Sequence, residues 1–388
     1  MVGLPTLNEV ATITAVTETV DQGLASAFPQ DESVIVVADN GSRDGTRAAF
    51  LDCDTRAQRL LVESPAVRTG KGTNVFRIFD LALERNAAWL VLLDADTRTM
   101  QPGWVERLAA AVHRVEPCMA VPVYQRNRFE GNTTNHLAAP LLAAVMGTYV
   151  DQPIAGDFAF NRAFVETMRT WPRPQSAELY GIDIHLTANA LREGLPVVEV
   201  PLGRKLHNPG FPKILFMSQQ VLDSLFHSFA GLGQPRRFAS RARTTRGSVD
   251  ETAERPDPGL VRATMRKVTA YTSERWVDIC RLFPSVRCLE DGRWGPRISV
   301  ATWPEVLADA MVGLADGEHE RVRDHLVALY LLRVMTWWEE IAGLGGEAID
   351  QLLDRQVAAT VEAVRVRSVR FEAPAPARFE PGYWAGAR

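Results

Sequence analysis

Four short apolar runs in the first hundred residues, most of them stopped by a cluster of polar residues, constrain this chain more than any other feature. Val2-Gly3-Leu4-Pro5 gives way to Thr6-Leu7-Asn8-Glu9, and the run from Ser33 to Ala38 ends at Asp39-Asn40-Gly41-Ser42. Arg59 to Glu63 is a third run, and Trp89-Leu90-Val91-Leu92-Leu93 ends at Asp94-Ala95-Asp96. Such runs fit strands covered on both faces of a sheet. Between them, Thr12 to Leu24, Thr46 to Leu51 and Thr73 to Arg85 have helical spacing. The order is βαβαβαβ, which predicts right-handed crossovers and a parallel sheet. Ligands of open sheets sit outside the carboxyl ends of the strands, so Thr6 to Glu9, Asp39 to Ser42 and Asp94 to Asp96 can converge on one crevice.

Beyond this core, Met119 to Val123 reads as another strand, and the pattern loosens through Gly131 to Asn135 before a helix from His136 to Met146. Asp151 to Phe160, Tyr180 to Leu191 and Pro196 to Val200 read as loop plus strand, helix and strand. The stretch from Gly231 to Pro258 is rich in Arg, Ser, Thr, Gly and Pro and suits a linker or mobile loop. Trp303 to Leu314, His319 to Ile341 and Ala348 to Val369 carry apolar residues at helical spacing. The division expected is a catalytic domain over 1–230, a linker over 231–258 and a helical domain over 259–388. The apolar stripe with Trp337 and Trp338 reads as core, with a homodimer surface as the alternative.

Acidic and basic residues nearly balance, 47 against 43, so no global positive field draws the chain to nucleic acid. Cys53, Cys118, Cys280 and Cys288 are scattered, without zinc spacing, and read as reduced thiols of a cytoplasmic protein. No stretch approaches the roughly 20 apolar residues of a membrane helix, so no membrane span is expected.

Asp94-Ala95-Asp96 ends a strongly apolar strand, where two carboxylates can hold a divalent cation that bridges the phosphates of a nucleotide. Alone, the tripeptide is equally ordinary turn and cap chemistry. Pro5 to Glu9 and Asp39 to Thr46 can supply partners for a base and ribose, although the second is also an unremarkable turn and N-cap. Thr69-Gly70-Lys71-Gly72 precedes a helix, so N–H groups and a lysine can face a phosphate, or Lys71 is only a solvated loop lysine.

In this order the four elements resemble the nucleotide-binding series of GT-A glycosyltransferases. The closer resemblance is to the retaining enzymes that form glycosylglycerates, and it rests on Gln152-Pro153-Ile154-Ala155-Gly156-Asp157, Tyr180-Gly181-Ile182-Asp183 and Leu202-Gly203-Arg204-Lys205-Leu206-His207. It implies an α/β, Rossmann-like GT-A fold with a mostly parallel central sheet and a helical C-terminal extension. It implies that Pro5, Thr6, Leu7, Glu9, Asp39, Gly41, Ser42, Gly70, Lys71, Asp94, Ala95 and Gly156 bind a GDP- or UDP-hexose. Asp96 and His207 would ligate Mg2+ or Mn2+, and Asp183, Asp157 and Lys71 would serve catalysis. Without the resemblance, His207 reads as an ordinary turn histidine.

The same resemblance places Gly131, Asn132, Thr133, Thr134 and Asn208 at the acceptor. Where the phosphoglycerate enzymes carry an arginine suited to a phosphate, this chain has Asn132. An unphosphorylated hydroxy acid such as D-glycerate is therefore the expected acceptor. The alternatives are a transferase with another acceptor, such as 3-phosphoglycerate, a polyprenyl phosphate or a natural-product intermediate, and a sugar nucleotidyltransferase. The last usually opens with a Gly-rich loop after the first strand, which Pro5 to Glu9 does not provide.

Overall fold

The computed structural model of the chain describes residues 1–63, 70–208, 210–239, 255–372 and 382–386. Thr69 and residues 240–254 of the expected linker lie outside the described residues. The chain forms two compact units, Met1–Gln125 with Gln152–Asn208, and Arg126–Asp151 with Pro209–Arg388.

The first unit begins β1 (Val2–Thr6), α1 (Ile13–Ala27), β2 (Val34–Asp39), α2 (Thr46–Leu51), β3 (Gln58–Glu63), α3 (Lys71–Glu84), β4 (Trp89–Leu92), α4 (Gly103–Val112) and β5 (Met119–Gln125). The second unit then takes α5 (Ala139–Met146), after which the first resumes with β6 (Phe158–Asn161), α6 (Arg162–Met168), α7 (Ile182–Arg192) and β7 (Val197–Arg204). The seven strands form one sheet in the order β3-β2-β1-β4-β6-β5-β7. Neighbours are parallel except that β6 runs antiparallel to β4 and β5. Ile35, Val36, Val37, Val91 and Leu92 are buried, as strands covered on both faces require. The sheet is thus mostly parallel and the architecture α/β, as the resemblance implies.

Two local devices place the functional loops. Asn161 ends β6 and caps α6: its Oδ1 accepts from the Phe164 and Cys118 backbone N–H groups, both at 3.1 Å. β7 carries a bulge against β5, where Tyr124 pairs with Gly203 and Leu202 is the extra residue. Gly203 takes φ +82° there.

The second unit adds α8 (Ile214–Phe229), α9 (Pro258–Leu282), a short hairpin of β8 (Asp291–Gly292) and β9 (Gly295–Pro296), α10 (Trp303–Ala315), α11 (His319–Glu340) and α12 (Gly346–Val366). The helical C-terminal region is thus present, but its boundary differs from the expected division at 230. Residues 126–151 and α8 belong with the C-terminal helices. The reason is packing: Ala139, Ala143 and Tyr149 form a buried cluster with Val357, against which Val361 and Phe238 also pack. Trp337 and Trp338 are 1% and 7% exposed, so the aromatic stripe is core of this unit. Among the described residues no helix is long and apolar enough to cross a membrane.

Candidate nucleotide-sugar site

The loops after β1 and β2 are stitched to each other. Asn8 adopts φ +57°, donates its backbone N–H to Ser42 Oγ at 2.8 Å and accepts the Arg43 N–H on Oδ1 at 2.9 Å. The Glu9 and Val10 N–H groups go to Thr46 Oγ1 at 2.8 Å and Asp44 Oδ2 at 3.1 Å. Thr6 is buried, its hydroxyl donating to Leu4 O and its carbonyl accepting from Asn74 Nδ2, while Leu7 is 47% exposed. Asp39 is fully buried and builds the turn. Its Oδ2 accepts the N–H groups of Gly41 and Ser42 at 2.8 and 2.9 Å, its Oδ1 the Ser42 hydroxyl, and Arg47 pairs with it at 3.2 Å. Pro5, Leu7, Glu9 and Gly41 therefore offer surface at this crevice, while Asp39, Thr6 and Ser42 hold its shape.

At the ends of β4, β6 and β7, charged side chains alternate in a chain: Asp157, Lys205, Asp94, Lys71, Asp183. Asp94 divides its oxygens, Oδ1 to Lys71 Nζ at 2.9 Å and Oδ2 to Lys205 Nζ at 2.8 Å. Lys71, the first residue of α3, also donates to Gly156 O at 3.2 Å and pairs with Asp183 at 3.2 Å. Lys205 donates further to Asp157 Oδ2 at 2.8 Å and Ala155 O at 3.1 Å. Asp157 also accepts from the Asp94 backbone N–H at 2.5 Å and from the Tyr124 hydroxyl. Ala95 and Ala155 are buried beneath this chain. Gly156 takes φ +92°, and a Cβ there would lie 2.0 Å from Asp94 Oδ2.

The electrostatics follow from this order. Burial works against the Lys71 ammonium, but Asp183, Asp94 and Asp157 outweigh it and hold its pKa above the ordinary lysine value. Burial likewise opposes the Asp94 charge, and Lys205 and Lys71 overcome it, keeping that carboxyl far below the usual range. Asp183, second residue of α7, is pushed up by burial and by Asp94 more than Lys71 offsets. Burial and then Asp94 push Asp96 up as well.

Asp96 Oδ2 accepts the Asn208 backbone N–H at 3.0 Å, and Asn208 Nδ2 donates to Glu9 Oε2 at 3.3 Å. His207 is thereby one residue from the Asp96 contact. His207 Nδ1 lies 2.8 Å from the Asn208 carbonyl, which can only accept, so the proton sits on Nδ1 and the lone pair on Nε2. A neutral imidazole and a carboxylate are donor types that fit a divalent cation. Among the described residues no three His, Cys, Asp or Glu side chains cluster to hold one, so a cation here would take its other ligands from a bound molecule.

Two expectations from sequence need correction. Asp157 is completely buried and holds Lys205 and the Asp94 backbone, so it has no face for a substrate. The N-terminus of α3 is not open to an anion at Gly72, whose N–H goes to Leu179 O at 3.0 Å and whose absent Cβ would stand 1.8 Å from Ala177 O. Asn208, expected at the acceptor, contacts Asp96 and Glu9. Sequence alone gives Lys205 no role, yet it is the hub of the network, shared by Asp94, Asp157 and Ala155 O.

The expected acceptor segment belongs to the second unit. Gly131 takes φ +66°, and Asn132, 7% exposed, donates Nδ2 to Phe129 O at 2.7 Å while its Oδ1 has no partner among the described residues. Thr133 Oγ1 meets Tyr330 OH at 3.0 Å, and Thr134 is buried.

Residues 1–168 match Glycosyl transferase family 2. Among solved structures, glucosyl-3-phosphoglycerate synthase from Mycobacterium tuberculosis in complex with Mg2+ and UDP is similar at 27% identity and a TM-score of 0.49, over 60% of this chain and 82% of that chain. The same enzyme with Mn2+, UDP and phosphoglyceric acid gives 28%, 0.49, 60% and 81%. With Mn2+ and UDP-glucose it gives 26%, 0.48, 60% and 82%. A comparison with curated proteins finds no match.

Proposed function

We propose that this chain is a metal-dependent, retaining hexosyltransferase that moves glucose or mannose from a UDP- or GDP-sugar to D-glycerate or a similar small hydroxy acid. The observation that carries the reading is the convergence of Asp94, Asp96, Lys71 and Asp183 with the His207–Asn208 turn at strand ends of a unit that begins with a family 2 glycosyl transferase match. Asp96 and His207 Nε2 would hold Mg2+ or Mn2+, which when bound neutralises charge on the departing diphosphate. Lys71 would turn from Asp94 and Asp183 to the same phosphates, exchanging two carboxylates for another anion.

In the transfer, the bond from the anomeric carbon to the phosphate oxygen breaks and a bond to the acceptor hydroxyl oxygen forms on the same face. The acceptor proton passes to the departing phosphate oxygen. Asp94 would keep Lys205 as its partner throughout, so it is assigned no bond to the sugar. Asp183, once Lys71 swings away, would orient sugar or acceptor hydroxyls. Asn132 supports the acceptor proposal: it puts no positive charge at the loop position where an arginine would bind a phosphate.

The test is a product screen. Purified protein with Mn2+ or Mg2+ is incubated with a panel of nucleotide sugars and with D-glycerate or 3-phosphoglycerate, and products are read by mass spectrometry. The expected product is a hexosylglycerate, formed at least about tenfold more efficiently than its phosphorylated counterpart, the scale of one missing guanidinium–phosphate contact. Preference for 3-phosphoglycerate would overturn the acceptor reading, and absence of transfer from every donor would overturn the whole.

A further inference from the structure

Two members of the charge chain are shut away from solvent: the Lys205 side chain is 1% exposed and that of Asp157 0%. Lys205 has three N–H donors, and Asp94, Asp157 and Ala155 O take them at 2.8, 2.8 and 3.1 Å. Its ammonium also lies 5.1 Å from the centre of the Tyr124 ring. Nothing of it is left for a nucleotide sugar. It nevertheless shares a carboxylate with Lys71, one Asp94 oxygen each.

We propose that Lys205 is a positioning residue that sets how firmly Lys71 is held, and that Asp157 is its charge partner in this role. The inference rests on the proposed function only in taking Lys71 as the group that meets the diphosphate. Three carboxylates face two ammoniums in the chain, for a net charge of −1. With Lys205 neutral, the net charge is −2 and all of it acts on Lys71, which is then too tightly bound to turn toward a phosphate. Neutralising Asp157 as well returns the chain to −1. The turn between the lysines makes the sharing tight: Ala155 and Gly156 offer one carbonyl to each, and a Cβ on Gly156 would stand 3.1 Å from Lys205 Nζ.

The experiment titrates UDP and GDP, each with Mn2+, into wild type, Lys205→Met, Asp157→Asn and the double variant by calorimetry, with thermal unfolding to confirm that each is folded. Lys205→Met should bind about tenfold more weakly than wild type, and the double variant should recover to within about threefold, the scale of one unit charge acting across about 10 Å at an effective dielectric constant near 20. A purely structural role predicts no such recovery, because both variants lose the same bonds from Lys205. If Lys205→Met does not fold, Asp157→Asn and the double variant carry the comparison, with the double expected to be about tenfold weaker. Equal affinity in that pair, or between Lys205→Met and wild type, overturns the inference alone. Wild type that binds neither nucleotide overturns the proposed function.

Discussion

Asp94 and Asp96 stand two residues apart, yet their carboxylates are in different chemical states. Asp94 gives both oxygens to ammonium groups and is held far into its ionised form. Asp96 takes one backbone N–H, and burial together with the Asp94 charge makes its ionised form costly, a cost that a cation would remove. Asp96→Ala and His207→Ala should each lower turnover by at least about 100-fold, consistent with the several kcal/mol that a metal contributes at a leaving group. Undiminished turnover of either variant in the presence of chelator would remove both from the metal site. Asp183 makes a second prediction, in pH. Burial and Asp94 raise its pKa, so it takes up a proton at higher pH than an ordinary aspartate, and what it does as a carboxylate is lost earlier as pH falls. The acidic limb of the kcat profile should therefore lie above about 4, the ordinary range for the group. A limb at or below that value would show that Asp183 does not govern it.

At the scale of elements, two glycines at helix starts separate packing from propensity. Gly72, in the first turn of α3, has Ala177 O where a Cβ would go, whereas a Cβ on Gly103, which opens α4, would meet nothing within 4 Å. Gly72→Ala should cost roughly 1–3 kcal/mol of stability, as overpacking does, and should weaken turnover by moving Lys71. Gly103→Ala should leave turnover intact and stability unchanged or up by about 0.5 kcal/mol. Thermal unfolding and kcat of the two variants check this, and equal behaviour would mean that α3 has room to shift. The first four strands and three helices are legible because β1, β2 and β4 are largely buried apolar runs that stop at a polar cluster, which local sequence records, while the half-buried β3 shows only as a short apolar run. α2 falls where its spacing put it, Thr46–Leu51. Lys205 was not legible. With Val200 and Leu202 buried, simple alternation along β7 would turn Arg204 inward, but the bulge at Gly203 adds a residue, so Arg204 is exposed and Lys205 buried. That bulge depends on pairing with β5, far away in sequence. The role of Asp157 is hidden for a similar reason: a carboxylate at a strand end looks the same in sequence whether it faces a ligand or ties neighbouring elements together.

For the whole molecule, the chain crosses between its two units more than once, so a cut suggested by composition near residue 230 would not respect either. A fragment ending there keeps all of the first unit, along with 126–151 and α8 from the second. Those two pieces would lose what buries them. Ala139, Ala143 and Tyr149 would lose Val357 and Val361. Asp223, 6% exposed on α8, would lose Arg323, whose Nη1 lies 3.1 Å from its Oδ1. Uncovering large apolar side chains forfeits about 1.5–3 kcal/mol each, and a domain has about 5–15 kcal/mol in total. The orphaned segments expose α5, every residue of which is buried in the full chain. Fragment 1–230 should therefore be poorly soluble or, if soluble, bind an apolar dye strongly. Removing 126–151 from it as well, with a short Gly/Ser linker joining Gln125 to Gln152, and ending the chain at Asn208 should reduce the dye signal, because what remains is the first unit alone. Expression yield, dye fluorescence and thermal unfolding of the full chain and both fragments decide the matter. A fragment 1–230 that is monomeric, binds no dye and unfolds cooperatively near the temperature of the full chain would show that α5 and α8 do not need the C-terminal helices.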